Sequence, residues 1–172
     1  MLDLLKSRRS IRKFKDREVE GDKLDIILKS ALLSPSSRGV RPWHFIVVTD
    51  KETLQKLSAS KQYGSQFLAG APAGIVVIGD TKASDIWIED TSIASIIIQL
   101  AAQDLGLGSC WIQIRERFKA ENQKSEEYVK SVLDIPGEYG VLSIIALGYP
   151  DETKKPYDEN ELENTKLHFD KF

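Results

Sequence analysis

The chain of 172 residues is 41% hydrophobic and 29% charged with a net charge of −2, which suits one domain spanning 1–172 and hiding roughly two-thirds of its unfolded surface. No window approaches the roughly 18 consecutive apolar residues of a membrane helix, and Met1 to Arg9 lack the apolar core of a secretory signal, so a cytoplasmic protein with no membrane partner is expected. One cysteine, Cys110, and two histidines, His44 and His168, exclude an internal disulfide, a Cys/His zinc cluster and a Cys-x-x-Cys redox pair, and no metal site is expected.

Residues 2–7 read as a short helix. In the next segment Leu24, Ile27, Leu28, Ala31 and Leu32 follow helical spacing, with Asp22 as N-cap and a stop at Ser34, because the residue before Pro35 is pushed out of the α region. A loop, 35–42, leads into a strand at 44–48. Asp50 caps a helix to about Ser58, residues 61–68 suggest another short helix, and 73–78 form a second strand. The longest helix runs from about Asp85 to Leu105, with acids at its positive end and Gly106 as its stop. Its apolar stripes leave Ser92, Ser95, Gln99 and Gln103 as an uncharged polar stripe. A solvated face normally carries Lys and Glu, so this helix is expected to be buried nearly all round, partly against another subunit.

A third strand, 109–114, is followed by a basic link, a helix at 126–133 and a fourth strand, 141–147. The tail is acidic yet carries Tyr157, Leu162, Leu167, Phe169 and Phe172; spaced aromatics of this kind point to docking on its own body or on a partner. The pattern is mixed α and β without internal repeat or linker.

Familiar nucleotide scaffolds are missing. Trp111 stands where the dinucleotide fingerprint begun by Gly106 and Gly108 needs glycine, and there is no Walker loop, nucleophile elbow or His-Glu-x-x-His. Charge is unevenly spread: positions 6–17 hold seven cations against Asp16, a net +6, while residues 150–172 carry −3. Within the basic stretch, Arg8-Arg9-Ser10-Ile11-Arg12 has the guanidinium and hydroxyl groups that grip phosphate, although such clusters are more often solvated faces. Nucleic acid is not expected as the partner, because no aromatics interleave the run and the whole chain is acidic. The loop Pro35-Ser-Ser-Arg-Gly-Val-Arg-Pro-Trp43 offers hydroxyls and cations on a stiffened backbone, or is simply a turn into a strand.

Four segments occur in order: Arg-Arg-Ser-Ile-Arg at 8–12, Pro-Ser-Ser-x-x-x-x-Pro-Trp at 35–43, Gly-Leu-Gly-Ser-Cys-Trp at 106–111, and Ala-Leu-Gly-Tyr-Pro at 146–150. Together they resemble the FMN-dependent nitroreductase family in its short form, from about Leu5 to Phe169. The resemblance implies an α+β fold with a central, mostly antiparallel sheet flanked by helices. It also implies a homodimer in which the tail, 150–172, packs on the partner subunit. FMN would lie at the interface, with NAD(P)H as electron donor.

By the same resemblance, Arg8 and Ser10 would hold the FMN phosphate and ribityl chain, with Arg9 nearby, and Arg12 would reach the pyrimidine edge. Pro35, Ser36 and Ser37 would come from the other subunit, and Arg41 adds a cation where the family often has an amide. Gln113 and Ile114 stand where the family presents glycine backbone to flavin N5. Gln66 is a candidate for the pyrimidine edge, and Lys154 or Lys155 for the phosphate. No side chain is expected to be catalytic, since the flavin carries a ping-pong transfer from NAD(P)H to a nitroaromatic, quinone or similar acceptor. A non-catalytic flavin-binding protein and a relative with reductive dehalogenation chemistry are the alternatives. Cys110 and Trp111 read as core, and His44 as packed beside Trp43.

Overall fold

A computed structural model describes residues Met1–Phe172. Its helices are α1 (Leu2–Ser7), α2 (Gly21–Leu32), α3 (Lys51–Ser58), α4 (Trp87–Asp104) and α5 (Ser125–Leu133). The strands are β1 (Trp43–Val48), β2 (Ala73–Asp80), β3 (Gly108–Gln113), β4 (Phe118–Ala120), β5 (Gln123–Lys124) and β6 (Tyr139–Gly148). The main sheet has the order β1-β2-β6-β3 with every neighbouring pair antiparallel, and β4-β5 is a separate hairpin.

Both faces of the sheet are covered, which is why β2 and β6 read as unbroken apolar runs rather than alternating ones. One face packs Val76, Ile112 and Ile144 against Leu54 and Leu57 of α3, Leu68 and Val129 of α5. The other packs Ile75, Val77, Ile145 and Leu147 against Ile27 and Ala31 of α2 and Ile98 and Ala102 of α4. Each fully buried Ile or Leu contributes about 1.5–3 kcal/mol.

Local chemistry moved several boundaries. Glu20, without a side-chain capping bond, holds the N-cap position of α2 in place of Asp22, whose Oδ1 accepts the Lys23 N–H at 2.9 Å. Asp50 caps α3 as its sequence indicates, accepting the Thr53 N–H at 2.8 Å. Residues 61–68 do not form the expected helix. The chain bends through 60–64 and then makes a 3-10 turn at Gln66–Gly70, because Gln66 ties down the preceding backbone (below). The basic link holds the β4-β5 hairpin, and His44 is exposed, edge-on to Tyr139 with ring centroids 5.0 Å apart. Trp111 is only half-buried.

Helix α4 carries polar and apolar side chains on both of its faces. Ser95 and Gln99 of its polar stripe face inward at 0% and 4% exposure, and Ser95 Oγ lies 3.2 Å from Ser143 Oγ. Ile93 and Ile96 face outward, each 38% exposed, while Ile98 stays in the core. The tail has the same character: residues 153–172 are exposed throughout, with Phe169 84% exposed. The chain presents 10079 Å² of surface, where a compact monomer of 19.3 kDa presents about 8,500 Å².

Candidate functional site

Strand β3 is the free edge of the sheet, and the basic N-terminal segment is laid along it. Ser10 bridges Ser109 in parallel, and the Ile11 N–H donates to the Ser109 carbonyl at 3.0 Å. Further on, Phe14 bridges Pro150 and the Lys15 N–H donates to the Tyr149 carbonyl at 2.9 Å. Two glycines make this contact possible. A Cβ on Gly108 would stand 2.8 Å from Ile11 Cβ, and one on Gly148 would stand 2.9 Å from Phe14 Cδ1 and closer still to Pro72. The glycines of both C-terminal motifs are therefore docking positions for the segment that carries the arginines.

Alternation then sorts the arginines. Arg8, Ser10 and Arg12 lie on the side of β3 where Cys110 sits. The buried Cys110 thiol is pushed up by burial, opposed by the Arg12 and Arg8 charges and a bond from Ser10. Neither Arg8 nor Arg12 has a carboxylate partner. Arg12 lies 5.8 Å from the Phe67 ring centroid, within cation–π range. Arg9 points the other way. It donates to the Lys155 carbonyl, packs 4.4 Å from the Tyr157 centroid, and lines a cavity of about 210 Å³ with Gln103, Gly106 and Lys154.

Between the two groups stands Glu152, which sequence reasoning missed. One oxygen accepts the Arg12 N–H at 2.6 Å and the Lys13 N–H at 3.2 Å; the other pairs with Lys154 at 2.9 Å. The Arg12 N–H bond first, and Lys154 next, hold its carboxyl down at about 2. The only sequence signal for it was an acid between Pro150 and Lys154.

The edge of β3 offers further donors. The Ile114 N–H is spent on the Leu142 carbonyl at 3.0 Å, so in this ladder the backbone groups of Trp111 and Gln113 point away from β6, to the open side. The Ile114 side chain is fully buried and its carbonyl accepts from the Arg117 N–H at 3.1 Å. The Gln113 side chain joins Trp111 Nε1 at 2.9 Å to the Arg115 carbonyl at 3.0 Å, leaving its backbone as the available part. The Gln66 side chain is engaged locally. Its Oε1 accepts the Gly64 and Ser65 N–H groups at 2.9 and 3.2 Å, and Nε2 donates to the Gln62 carbonyl at 3.2 Å. It shapes the 61–65 loop and has little left for a ligand. Lys154 is neutralised by Glu152, and Lys155 contributes its carbonyl to Arg9.

The 35–41 loop lies elsewhere. The Ser37 N–H donates to Asp90 Oδ1 at 2.8 Å and Ser36 Oγ accepts the Arg41 N–H at 2.8 Å. Arg38 and Arg41 hold left-handed φ values of 54° and 55°, and Arg38 pairs with Asp85. Pro35 and Arg41 are exposed. This loop precedes β1, the opposite edge of the sheet, near the level of Gly79 and Gly140, whereas Ser10 sits near the level of Leu147. Strand spacing and rise put the two groups about 30 Å apart. One chain does not bring them together.

The family model described as "Nitroreductase family" matches residues 5–62 and 58–149. The chain belongs to the nitroreductase family. A solved structure of an FMN-dependent nitroreductase from Clostridium difficile R20291 is 53% identical and covers 100% of both chains with a TM-score of 0.99. A relative in Archaeoglobus fulgidus, provisionally named an NADH dehydrogenase/NAD(P)H nitroreductase, is 39% identical over 99% of this chain and 98% of its own length. An iodotyrosine deiodinase from Thermotoga neapolitana is 25% identical over 94% of this chain and 95% of its own length. The four motif segments fall at the N-terminal segment, the two docking glycines and the Asp90-anchored loop.

Proposed function

We propose that the protein is an FMN-dependent oxidoreductase that draws electrons from NAD(P)H and delivers them to nitroaromatic, quinone or similar acceptors. The observation that carries this reading is the pair of unpaired guanidinium groups, Arg8 and Arg12, on the open edge of β3. The donor set fits FMN. Arg8 with the Ser10 hydroxyl suits a phosphate, Arg12 suits a ring edge that gains negative charge on reduction, and the outward N–H groups of Trp111 and Gln113 suit ring acceptors. Bound FMN supplies hydride acceptance and electron donation, so no side chain need act as acid or nucleophile. The protein's part is to hold the ring, keep an acceptor face open and stabilise charge. The named similarity to an FMN-dependent nitroreductase supports the same cofactor.

The working unit in this reading is a homodimer. The outward isoleucines of α4, the aromatic tail and an excess of about 1,600 Å² of surface per chain over a compact monomer, about 3,200 Å² for two chains, match what an obligate homodimer interface hides. Assembly also accounts for the 35–41 loop: Pro35, Ser36, Ser37 and Arg41 reach a flavin only on the partner's β3 edge. Donor and acceptor then use one site in turn, giving ping-pong kinetics. Anaerobic addition of NADH or NADPH to the FMN-loaded protein should bleach the flavin, and a nitroaromatic or quinone should restore it. A flavin that both donors leave oxidised refutes the oxidoreductase reading.

A further inference from the structure

Beyond the end of β3 the chain turns at Glu116, φ 55°, into the β4-β5 hairpin, which neither the family motifs nor the proposed flavin contacts use. The hairpin is tied down at both ends. The Arg117 N–H donates to the Ile114 carbonyl at 3.1 Å, and the Ser125 N–H to the Arg117 carbonyl at 2.9 Å. Its base is joined to the 61–66 loop, where the Gln62 N–H donates to the Phe118 carbonyl at 3.2 Å. That loop is in turn braced by Gln66 and leads to Phe67, which lies under Arg12. Hairpin and loop thus form a continuous shelf running outward from the Arg12 end of the candidate flavin site, on the α5 side of the sheet and away from α4.

The chemistry of the shelf is specific. Lys61, Arg115 and Arg117 have no carboxylate partner anywhere in the chain. Arg117 spends one guanidinium N–H on the Glu116 carbonyl at 2.7 Å and keeps the rest free. The half-buried Lys61 ammonium is held below its ordinary value, by burial first and by Arg117 second. Uncompensated cations, of which Lys61 and Arg115 are partly buried, gain from an arriving anion. Beside them two aromatic rings stand in solvent, Tyr63 at 76% and Phe118 at 51% exposure, with no aromatic neighbour to stack on. Cations next to free aromatic faces fit a ligand with a polyanionic stem and a flat heterocycle.

We propose that the shelf formed by Lys61, Tyr63, Arg115, Arg117 and Phe118 is where the nicotinamide donor docks its pyrophosphate and adenine. The proposal rests on the oxidoreductase reading above and deepens it: Lys61 and Arg117 take the pyrophosphate, and Tyr63 or Phe118 takes the adenine face. It distinguishes donor from acceptor, because a small aromatic acceptor has nothing to place there.

The test compares NADH and NADPH with N-benzyl-dihydronicotinamide, a donor that has the same reactive ring but neither phosphate nor adenine. In the FMN-loaded enzyme, Arg117→Gln and Lys61→Gln should each raise the KM for NADH and NADPH about tenfold, the effect of losing one charge-assisted contact at a partly exposed site. Turnover with the benzyl donor and the affinity for FMN should stay unchanged. Added salt should raise the NADH KM of the parent enzyme more than that of Arg117→Gln, and Tyr63→Ser should raise it without altering the salt response. An unchanged KM in the charge variants, or an equal shift for dinucleotide and benzyl donors, overturns the site. Reduction by neither kind of donor overturns the oxidoreductase reading and this site with it.

Discussion

Gly108→Ala tests whether the N-terminal segment depends on close approach to β3. The added methyl would stand 2.8 Å from Ile11 Cβ and 2.9 Å from both Cγ atoms. The nearest of these is fixed to the backbone, so no rotamer of Ile11 relieves the clash. The segment has to lift, stretching the 3.0 Å bond from Ile11 N–H to the Ser109 carbonyl. Overpacking of this kind costs about 1–3 kcal/mol, and a weakened backbone bond adds about 0.5–1.5 kcal/mol. A total of about 2–4 kcal/mol lowers the Tm of a domain this size by roughly 5–12 °C. Arg8, Ser10 and Arg12 ride on the displaced segment, so flavin retention should fall as well. Gly21→Ala is the control: a Cβ there meets nothing within 4 Å, and alanine near a helix start is neutral or slightly stabilising. Thermal melts and FMN titration of both variants provide the measurement. A Gly108→Ala protein that melts with Gly21→Ala and binds FMN equally well would falsify the docking argument.

Arg8→Ala should weaken FMN binding by about 1.5–3 kcal/mol, the worth of a charge-assisted contact, while the assembly sediments as before; unchanged affinity places the phosphate elsewhere. Ile96→Asp puts a charge on the outward face of α4 and should yield monomers in sedimentation with unaltered secondary structure, whereas a persistent dimer would move the interface off α4. The third prediction concerns acid. The Tyr149 hydroxyl, 2.7 Å from Oε2, and next its own backbone and Arg17 hold Glu20 at about 2 against an ordinary 4.5. A carboxylate lowered in this way stabilises the fold fully above about 4.5 and loses that contribution as the pH falls toward 2. Glu20→Gln should therefore have a lower urea midpoint than the parent near neutrality, with the gap closing through that window. A gap that stays constant down to about pH 2 would show that the charge does not matter.

How far the sequence reaches depends on the range of the interaction being read. The α2, α4, β2 and β6 patterns were legible because each buries a long apolar face, and that face imposes its period on many residues. The β4-β5 hairpin was not, since its strands span three and two residues with mostly exposed side chains and carry no period to detect. Gln66 illustrates a second limit. Its type is compatible with a ring contact or with a loop brace, and only the positions of the Gly64, Ser65 and Gln62 backbones decide. For Ile114 the deciding fact is parity along an antiparallel ladder, fixed by register against β6 rather than by residue type. The motif arginines are legible as one segment, yet their division into Arg8 and Arg12 on one side and Arg9 on the other required knowing that the segment runs extended beside Ser109.

The distance between the arginine segment and the 35–41 loop has a genetic consequence. If each flavin draws on Arg8 from one chain and Ser37 from another, a chain defective only at Arg8 and a chain defective only in the loop are each inactive alone. Mixed together, they assemble into a hybrid in which one site collects both defects and the other collects none. Two dead proteins would then restore up to half the normal number of working sites, and the amount recovered would count how many assemblies are hybrid.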